Sequence, residues 1–409
     1  MKTSNEYKET KLGVLPEEWE VKKLELLVHK IVGGGTPSRD KSEYFGGNIP
    51  WATVKDLSEE NYKDKTIEYI SIAGLNNSSS KIIEKNNFII STRMGLGRGF
   101  INTEDMAINQ DLKGIYPKTE ILNVVYLMYW YKYNGLLFES LGSGSTVKGI
   151  DLKTLKNLQI PLPPLTEQQK IAEILSTWDN SIENLENLIS KKIETKKGLM
   201  QNLLTGKVRF PGFENEWKEV KLGDILNEFS EKTHENNQHM ILSVTKTGII
   251  PQSEQFNKQV ASSDNAGYKI LRYGNLVFSS MNLWMGSLDI LRTYEIGIVS
   301  PAYKTFKINY SLVDIDFIQD FLKSKHMIWI YNINSEQGAS IVRRNLDLDG
   351  LLSTKIMLPE LREQQKIGKM LSTQDKEIDL LKQKLELVKT QKKGLMQNLL
   401  TGKIRVKTS

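Results

Sequence analysis

Lys196–Lys207 reads KKGLMQNLLTGK, and Lys392–Lys403 reads KKGLMQNLLTGK again. Twelve consecutive residues are identical at a separation of 196 positions. The same separation aligns LPPLTEQQKIAEILSTWDNSI (Leu162–Ile182) with LPELREQQKIGKMLSTQDKEI (Leu358–Ile378), without a gap between the two matches. Chance does not produce this, so the chain is a tandem duplication. A fainter match lies upstream, where WEVKKL (Trp19–Leu24) resembles WKEVKL (Trp217–Leu222) at a separation of 198. Between these landmarks the halves diverge almost completely. Each half is a variable globular segment followed by a near-constant one.

The constant segments have the periodicity of long helices. Ile171, Leu175, Trp178, Ile182, Leu185, Ile189, Lys192, Lys196, Leu199 and Leu203 follow alternating steps of four and three. Ile367, Leu371, Gln374, Ile378, Leu381, Leu385, Val388, Lys392, Leu395 and Leu399 do the same. That is a coiled-coil heptad sustained for about five repeats. Thr166 and Gln169 predict a capping box at the first helix start, which Arg362 removes from the second copy. Gly206 and Gly402 follow the last apolar turn, where a C′ glycine ends a helix. A helix of about 39 residues is roughly 58 Å long at 1.5 Å per residue. The obvious partner for each apolar seam is the other copy, and two helices joined through a whole globular segment can run antiparallel. The spacing therefore predicts segments at 1–165, 166–205, 206–361 and 362–409. The fold class is mixed α/β, with two α/β domains separated by two long antiparallel coiled-coil helices in a pseudo-twofold repeat.

A plain dimerisation coiled coil is the simpler reading of these helices. Against it, the seam is interrupted by Lys192 and Lys196 in one copy and by Lys392 in the other. A lysine at a core position marks register control or a different partner surface. Seam packing asks only for apolar character. It leaves the identity at Gln201, Asn202 and Lys207, and at Gln397, Asn398 and Lys403, unexplained. A shared protein partner docking on both copies would explain it.

Composition bounds the chemistry. The chain has 409 residues, enough for two to four domains, and no cysteine. A disulfide scaffold, a thiolate metal site and a cysteine nucleophile are excluded. The four histidines (His29, His234, His239, His326) lack the spacing of a catalytic zinc site. The longest apolar stretch, Ile121–Tyr131, is too short for a membrane span, and the first residues, MKTSNEYKETK, lack the apolar core of a signal peptide. A cytoplasmic protein without membrane partners is expected. The net charge of +6 is carried by the last segment. Residues 362–409 hold 12 Lys+Arg against 5 Asp+Glu, whereas residues 1–165 hold 21 against 20. A nucleic-acid-binding face on the variable segments must come from local arrangement of charge.

Both variable segments are expected to be mixed α/β. Ile82–Ser91 and Tyr268–Ser279 predict strands around a turn, and Val124–Trp130 and Phe317–Leu322 predict short buried helices at matching positions. The stretches GGGTPS (Gly33–Ser38) and YFGGNIPW (Tyr44–Trp51) lack a phosphate-loop spacing, so tight turns are the expected role of their glycines. Arg93-Met-Gly-Leu-Gly-Arg98-Gly places two arginines on a flexible loop, fit either for an ordinary polar surface or for phosphate and guanine contacts. No methyltransferase loop, Walker motif or nuclease signature is present, so the chain is not expected to be an enzyme.

Taken together, GGGTPS, YFGGNIPW, PLPPLTEQQKI at 161–171, LPELREQQKI at 358–367, the two KKGLMQNLLTGK tails and Trp217…Lys221-Leu222-Gly223-Asp224 resemble the specificity subunit of Type I restriction–modification enzymes. The resemblance covers nearly the whole chain. The second segment departs from it by lacking GGTPS and IPW, and carries Ser300-Pro-Ala-Tyr303 instead. The resemblance implies two target recognition domains, each reading one half of a bipartite site in double-stranded DNA. It implies antiparallel helices that fix the gap, and docking of two adenine-modifying subunits and of motor-nuclease restriction subunits. S-adenosylmethionine, ATP and Mg would sit on those partners, with no cofactor or metal on this chain.

Side chains that make bidentate contacts to base edges are the candidate readers. They are Arg93, Arg98, Asn109, Gln110 and Lys148 in the first domain, and Asn282, Arg292, Arg343 and Arg344 in the second. An ordinary surface or turn-forming role stands beside each of these readings. Two other classes remain in view. A coiled-coil scaffold without DNA contact draws support from the near-neutral domains, but gains nothing from two unlike heads. An enzyme with an unfamiliar site is disfavoured by the missing motifs.

Overall fold

The computed structural model describes residues 7–141, 149–246, 248–255, 264–337 and 344–407. The chain divides into two compact units, residues 1–185 with 384–409, and residues 186–383. Each unit holds one globular domain, part of the long helix Leu165–Leu203 and part of the long helix Leu361–Leu400. Among the described residues no helix is long and apolar enough to cross a membrane.

The two domains share a sheet that their sequences conceal. In the first, strands run in the spatial order Val28–Gly33, Leu112–Pro117, Phe88–Ser91, Gly99–Asn102, with Tyr62–Lys63 added in parallel at the edge. In the second, the order is Leu226–Phe229, Tyr303–Ile308, Leu276–Ser279, Leu288–Ile290. The four common strands pair antiparallel and occur in the same chain order in both. Each domain also joins an early strand to its last strand. Glu20–Lys23 pairs with Gln159–Leu162, and Lys218–Lys221 with Lys355–Leu358. The expected strands around a turn are present, Lys81–Ile83 with Phe88–Ser91 and Lys269–Arg272 with Leu276–Ser279, but the two strands of each join different sheets rather than pairing with one another. The expected helices are Val124–Tyr133 and Ile315–Leu322. The domains differ in what is added. The first carries a further four-stranded sheet of Glu68–Ile70, Phe45–Ala52, Met106–Ile108 and Lys81–Ile83, whereas the second carries two-stranded pairs.

The glycine-rich stretch of the first domain needs glycine for close approach rather than for turns. A Cβ on Gly34 would lie 1.9 Å from the Ile108 carbonyl oxygen, and one on Gly35 would lie 1.9 Å from Ser79 Oγ. Gly206 and Gly402 do end their helices in the left-handed region, with φ of +67° and +66°.

Within each unit the two helix segments run antiparallel. In the first unit Asp179 meets Lys392. In the second, Lys192 meets Glu377 at 2.7 Å and Lys196 meets Asp375 at 2.6 Å. The core of each domain is completed by the start of one helix and the end of the other. Ile171, Leu175, Leu399 and Leu400 are buried in the first, and Ile367, Leu371, Leu203 and Leu204 in the second. Burying a side chain of this size contributes roughly 1.5–3 kcal/mol. This packing accounts for the leucines shared by the two KKGLMQNLLTGK copies.

The capping box at Thr166 and Gln169 does not form. The helix starts at Leu165, which leaves Thr166 inside its first turn, and the second helix starts equally well at Leu361. Buried polar residues hold these ends instead. Gln168 donates to the carbonyls of Ile121 (3.0 Å) and Pro163 (2.8 Å) and accepts from the Asn123 amide (2.8 Å). Gln364 repeats the arrangement with Leu312, Pro359 and the Asp314 amide. Asn123 and Asp314 are in turn the N-caps of the two domain helices. Beside each glutamine lies a buried carboxylate closed by an arginine fork. Arg405 donates to Glu167 at 2.8 and 2.9 Å, and Arg209 to Glu363 at 2.9 and 2.7 Å.

Replacing Gln168 by leucine leaves one amide and two carbonyls without partners. Each orphaned buried group costs about 1–3 kcal/mol, so a loss of about 3 kcal/mol is expected, and the same for Gln364→Leu. Chemical denaturation of the two variants beside the parent chain measures it. Unchanged midpoints would show that these amides do not hold the domains to the helices.

Candidate nucleic-acid interface

The first domain gathers several separate stretches of sequence at one rim. The loop after Phe88–Ser91 turns through left-handed residues, Met94 at φ +55°, Gly95 at +99° and Gly97 at +80°. Gly97 is pressed so close to Gly135 that a Cβ would lie 2.2 Å from its Cα. This holds Arg93 and Arg98 on the exposed side of a constrained loop. The Arg93 guanidinium stands 3.7 Å from Asp111. Asp111 is itself fixed, because its amide donates to Asn109 Oδ1 and its carboxylate accepts from Asn109 Nδ2, both at 3.1 Å. Asn109 is buried and acts as the brace of this turn.

Gln110 is exposed, and Thr36 of the GGGTPS stretch donates to its Oε1 at 2.5 Å, which sets the orientation of its amide. The Trp51 indole of the YFGGNIPW stretch donates to the Gly35 carbonyl at 3.2 Å, so the two stretches converge. Arg39 lies over the rings of Phe45 (4.7 Å) and Trp51 (5.3 Å) and bonds Glu68 at 2.6 Å. Lys113 donates to the carbonyls of Gln110 and Leu112 at 3.1 and 3.2 Å. Burial lowers the pKa of Lys113, with Asp111 opposing the shift. Sequence reasoning named Arg93, Arg98, Asn109 and Gln110, but missed Thr36, Arg39, Asp111 and Lys113. The quoted motifs were the signal for Thr36. Nothing in the sequence pairs Asp111 with Arg93. Lys148 lies outside the described residues.

The second domain puts a different constellation at the equivalent loop, between Leu276–Ser279 and Leu288–Ile290. The backbone carbonyl of Asn282 accepts from the Met285 amide at 3.0 Å in a turn that Gly286 closes at φ +82°. Arg344 lies over the Trp284 ring at 4.4 Å, bonds the Asn332 side chain, and donates its amide to the Met281 carbonyl at 3.3 Å. Asn282 and Arg344 are thus brought together with Trp284. Arg343 lies outside the described residues. Arg292 stands elsewhere. Its guanidinium bonds Asp316 at 2.6 Å in the first turn of the domain helix, and Asp316 also accepts from Ser372 on the second long helix. The six residues assigned to partner docking lie at the helix ends, where Gln201, Asn202, Lys207, Gln397 and Lys403 are exposed and Asn398 is half-buried.

Comparison with known proteins agrees with this architecture. The family model described as the Type I restriction modification DNA specificity domain matches twice, at residues 16–195 and 214–390. The MjaIX specificity subunit of Methanocaldococcus jannaschii is 34% identical over 242 residues, 54% of this chain and 54% of that protein. That alignment thus spans about half of each. The putative MjaX specificity subunit of the same organism is 26% identical over an alignment covering 98% of this chain and 97% of its own. Among solved structures, the S subunit of a Type I system from M. genitalium superposes with a TM-score of 0.55 at 16% identity. It covers 96% of this chain and 97% of that one, a likeness of fold.

The contrast between Arg292 and the loop arginines is open to measurement. Arg292→Ala removes the ion-pair partner of Asp316, whose own side chain is 30% exposed, and should lower stability by about 1 kcal/mol. Arg98→Ala, on an exposed loop, should change it by less than about 0.5 kcal/mol. Parallel thermal melts decide; equal losses would contradict the assignment of Arg292 to the fold.

Proposed function

Because the chain belongs to the Type I restriction modification DNA specificity family, we propose that it is the non-catalytic DNA reader of a Type I restriction–modification assembly. Each domain reads one half of a bipartite site in double-stranded DNA, and the two long helices set the interval between the halves. The exposed residues Gln201, Asn202 and Lys207, with Gln397, Asn398 and Lys403, form two like docking patches for two modification subunits. Restriction subunits complete the assembly. S-adenosylmethionine, ATP and Mg act on those partners, where adenine is methylated and DNA is cleaved.

One observation carries this reading. The two domains share one four-stranded sheet and one attachment to the helices, yet present unlike side chains at the same loop. Phosphate contacts position a protein, whereas base-edge contacts specify sequence. A common frame with different rim chemistry is what a two-part reader requires. A scaffold has no use for it. In the first domain Thr36 and Gln110 offer a fixed amide for an adenine edge, with Arg93 beside it for guanine or phosphate. In the second, Arg344 is held flat by Trp284, which leaves a guanidinium suited to a guanine edge.

The test is methylation by the complex assembled with its modification partners, on duplexes carrying every single-base change. Gln110→Ala should relax the preference at one or two positions of one half-site by roughly ten- to a hundredfold, the worth of a good bidentate contact. Arg344→Ala should do the same in the other half-site only. Changes in both halves from one substitution would overturn the independence of the domains. No change from either would remove these loops from the interface.

A further inference from the structure

We propose that Lys196 and Lys392 are positioning residues that clamp each recognition domain onto the helix pair, and thereby fix the base-pair interval that the protein accepts. The inference rests on the two-half-site reading and deepens it.

Both lysines occupy apolar heptad positions, and their repeat partners are each other. Each is largely buried, with side chains 14% and 16% exposed. Each crosses to an aspartate of the opposite helix, and these aspartates also correspond in the repeat. Lys196 bonds Asp375 at 2.6 Å, and Lys392 bonds Asp179. Each then takes a second partner from a recognition domain, the sixth residue of its domain helix. In the second domain this is Asp320, 2.8 Å from Lys196 and itself 8% exposed. In the first it is Tyr129, whose ring centroid lies 5.4 Å from the Lys392 ammonium and whose hydroxyl donates to Asp179 at 2.5 Å. Asn61 adds a second donor to Asp179 at 2.7 Å.

The same clamp is therefore built twice with different chemistry, a carboxylate in one domain and an aromatic face in the other. Between each clamp and the helix start, the domain packs on the helices through apolar side chains such as Ile171 and Leu175 in the first unit and Ile367 and Leu371 in the second, while the directional contacts of Gln168 and Gln364 lie at the helix starts. Apolar packing is non-directional, and small slides or rotations cost it little. A lysine held by a carboxylate and by a second partner, a carboxylate for Lys196 and a ring face for Lys392, tolerates much less, because charge-assisted hydrogen bonds are short and angular. Buried ion pairs are poor sources of net stability but can specify one arrangement among several of similar packing. The burial that raises the Asp320 pKa also makes any arrangement without Lys196 costly.

The experiment uses the complete complex and duplexes with unchanged half-sites and intervals of the preferred length and of one and two base pairs more or fewer. The variants are Lys196→Met, Lys392→Met and the double substitution, with Lys196→Arg and Lys392→Arg as rescues. The expected result is that single-base preferences within each half-site are kept. Discrimination against off-length intervals should fall at least tenfold in the methionine variants and return in the arginine variants. Asp320→Asn and Tyr129→Phe, which retain size, give the same readout should a methionine variant fail to fold. A complex that prefers one interval, with variants that prefer it as sharply even when their melting temperatures fall, overturns the inference alone. A parent complex indifferent to interval overturns the two-half-site reading and the inference with it.

Discussion

A buried acid–amide pair at the start of each long helix holds this architecture together. Glu167 and Gln168 are almost wholly enclosed, as are Glu363 and Gln364. A carboxylate taken out of water is tolerated only when paired and hydrogen-bonded. Here the pairing comes from the distal end of the other helix, through Arg405 and Arg209. The hydrogen bonds of Arg405 to Glu167 hold its guanidinium above the ordinary arginine pKa. The glutamine next door reaches the N-terminus of the domain helix and the carbonyls that flank it. One dipeptide thus joins three elements, the helix it begins, the domain before it and the return of the opposite helix. The tryptophan of the first domain shares in this. Trp19 donates to Glu167 at 3.1 Å, while the corresponding Trp217 has a buried indole N–H without an acceptor among the described residues.

This junction separates what must stay fixed from what can vary. Once the domain helix, the strands Glu20–Lys23 and Gln159–Leu162 and the helix start are tied together, the far rim of the sheet bears none of that load. The first domain can add a whole second sheet, three of its strands falling between Val28–Gly33 and Phe88–Ser91 and the fourth just before Leu112–Pro117, and the second can replace it with two-stranded pairs. Neither change disturbs the attachment. The loops that differ are also the loops with left-handed residues, where the backbone turns sharply and presents side chains outward. Variation at the rim and identity at the junction are two results of one layout.

How much of this the sequence disclosed follows the same division. The repeat, the helix ends at Gly206 and Gly402 and the paired domain helices were legible because periodicity and identity record them directly. The common sheet was not. Its strands in the two domains share only apolar character, and strand order depends on contacts far apart in sequence. Among candidate readers, residue type alone could not separate Arg344, stacked on Trp284 at the rim, from Arg292, bound to Asp316 beside a helix start. Nor could it show that Asn109 braces a turn while its neighbour Gln110 faces outward. Nor does residue type show that Glu167 and Gln168 are enclosed, since a polar pair at a helix start fits an exposed position equally well.

The domains balance cations and anions in number, and many of the cations are also paired locally. In the first, Arg39 and Lys55 meet Glu68, Lys63 meets Glu60, Lys30 meets Glu84, and Arg93 stands by Asp111. A protein that binds DNA through its phosphates needs many uncompensated lysines and arginines, and its affinity then falls steeply with salt. The rim here offers an oriented amide, a hydroxyl and a few arginines already partnered by acids or rings. Groups of that kind gain little from a phosphate and much from a base edge of matching donors and acceptors. The partnered acid also has a use, since an arginine beside a carboxylate loses less by binding a base edge that returns its hydrogen bonds than by meeting one that does not. Discrimination at such a rim comes from geometry more than from attraction. The clamps that hold the domains to the helices matter for the same reason, because a reader that relies on hydrogen-bond angles must itself be held at a defined angle.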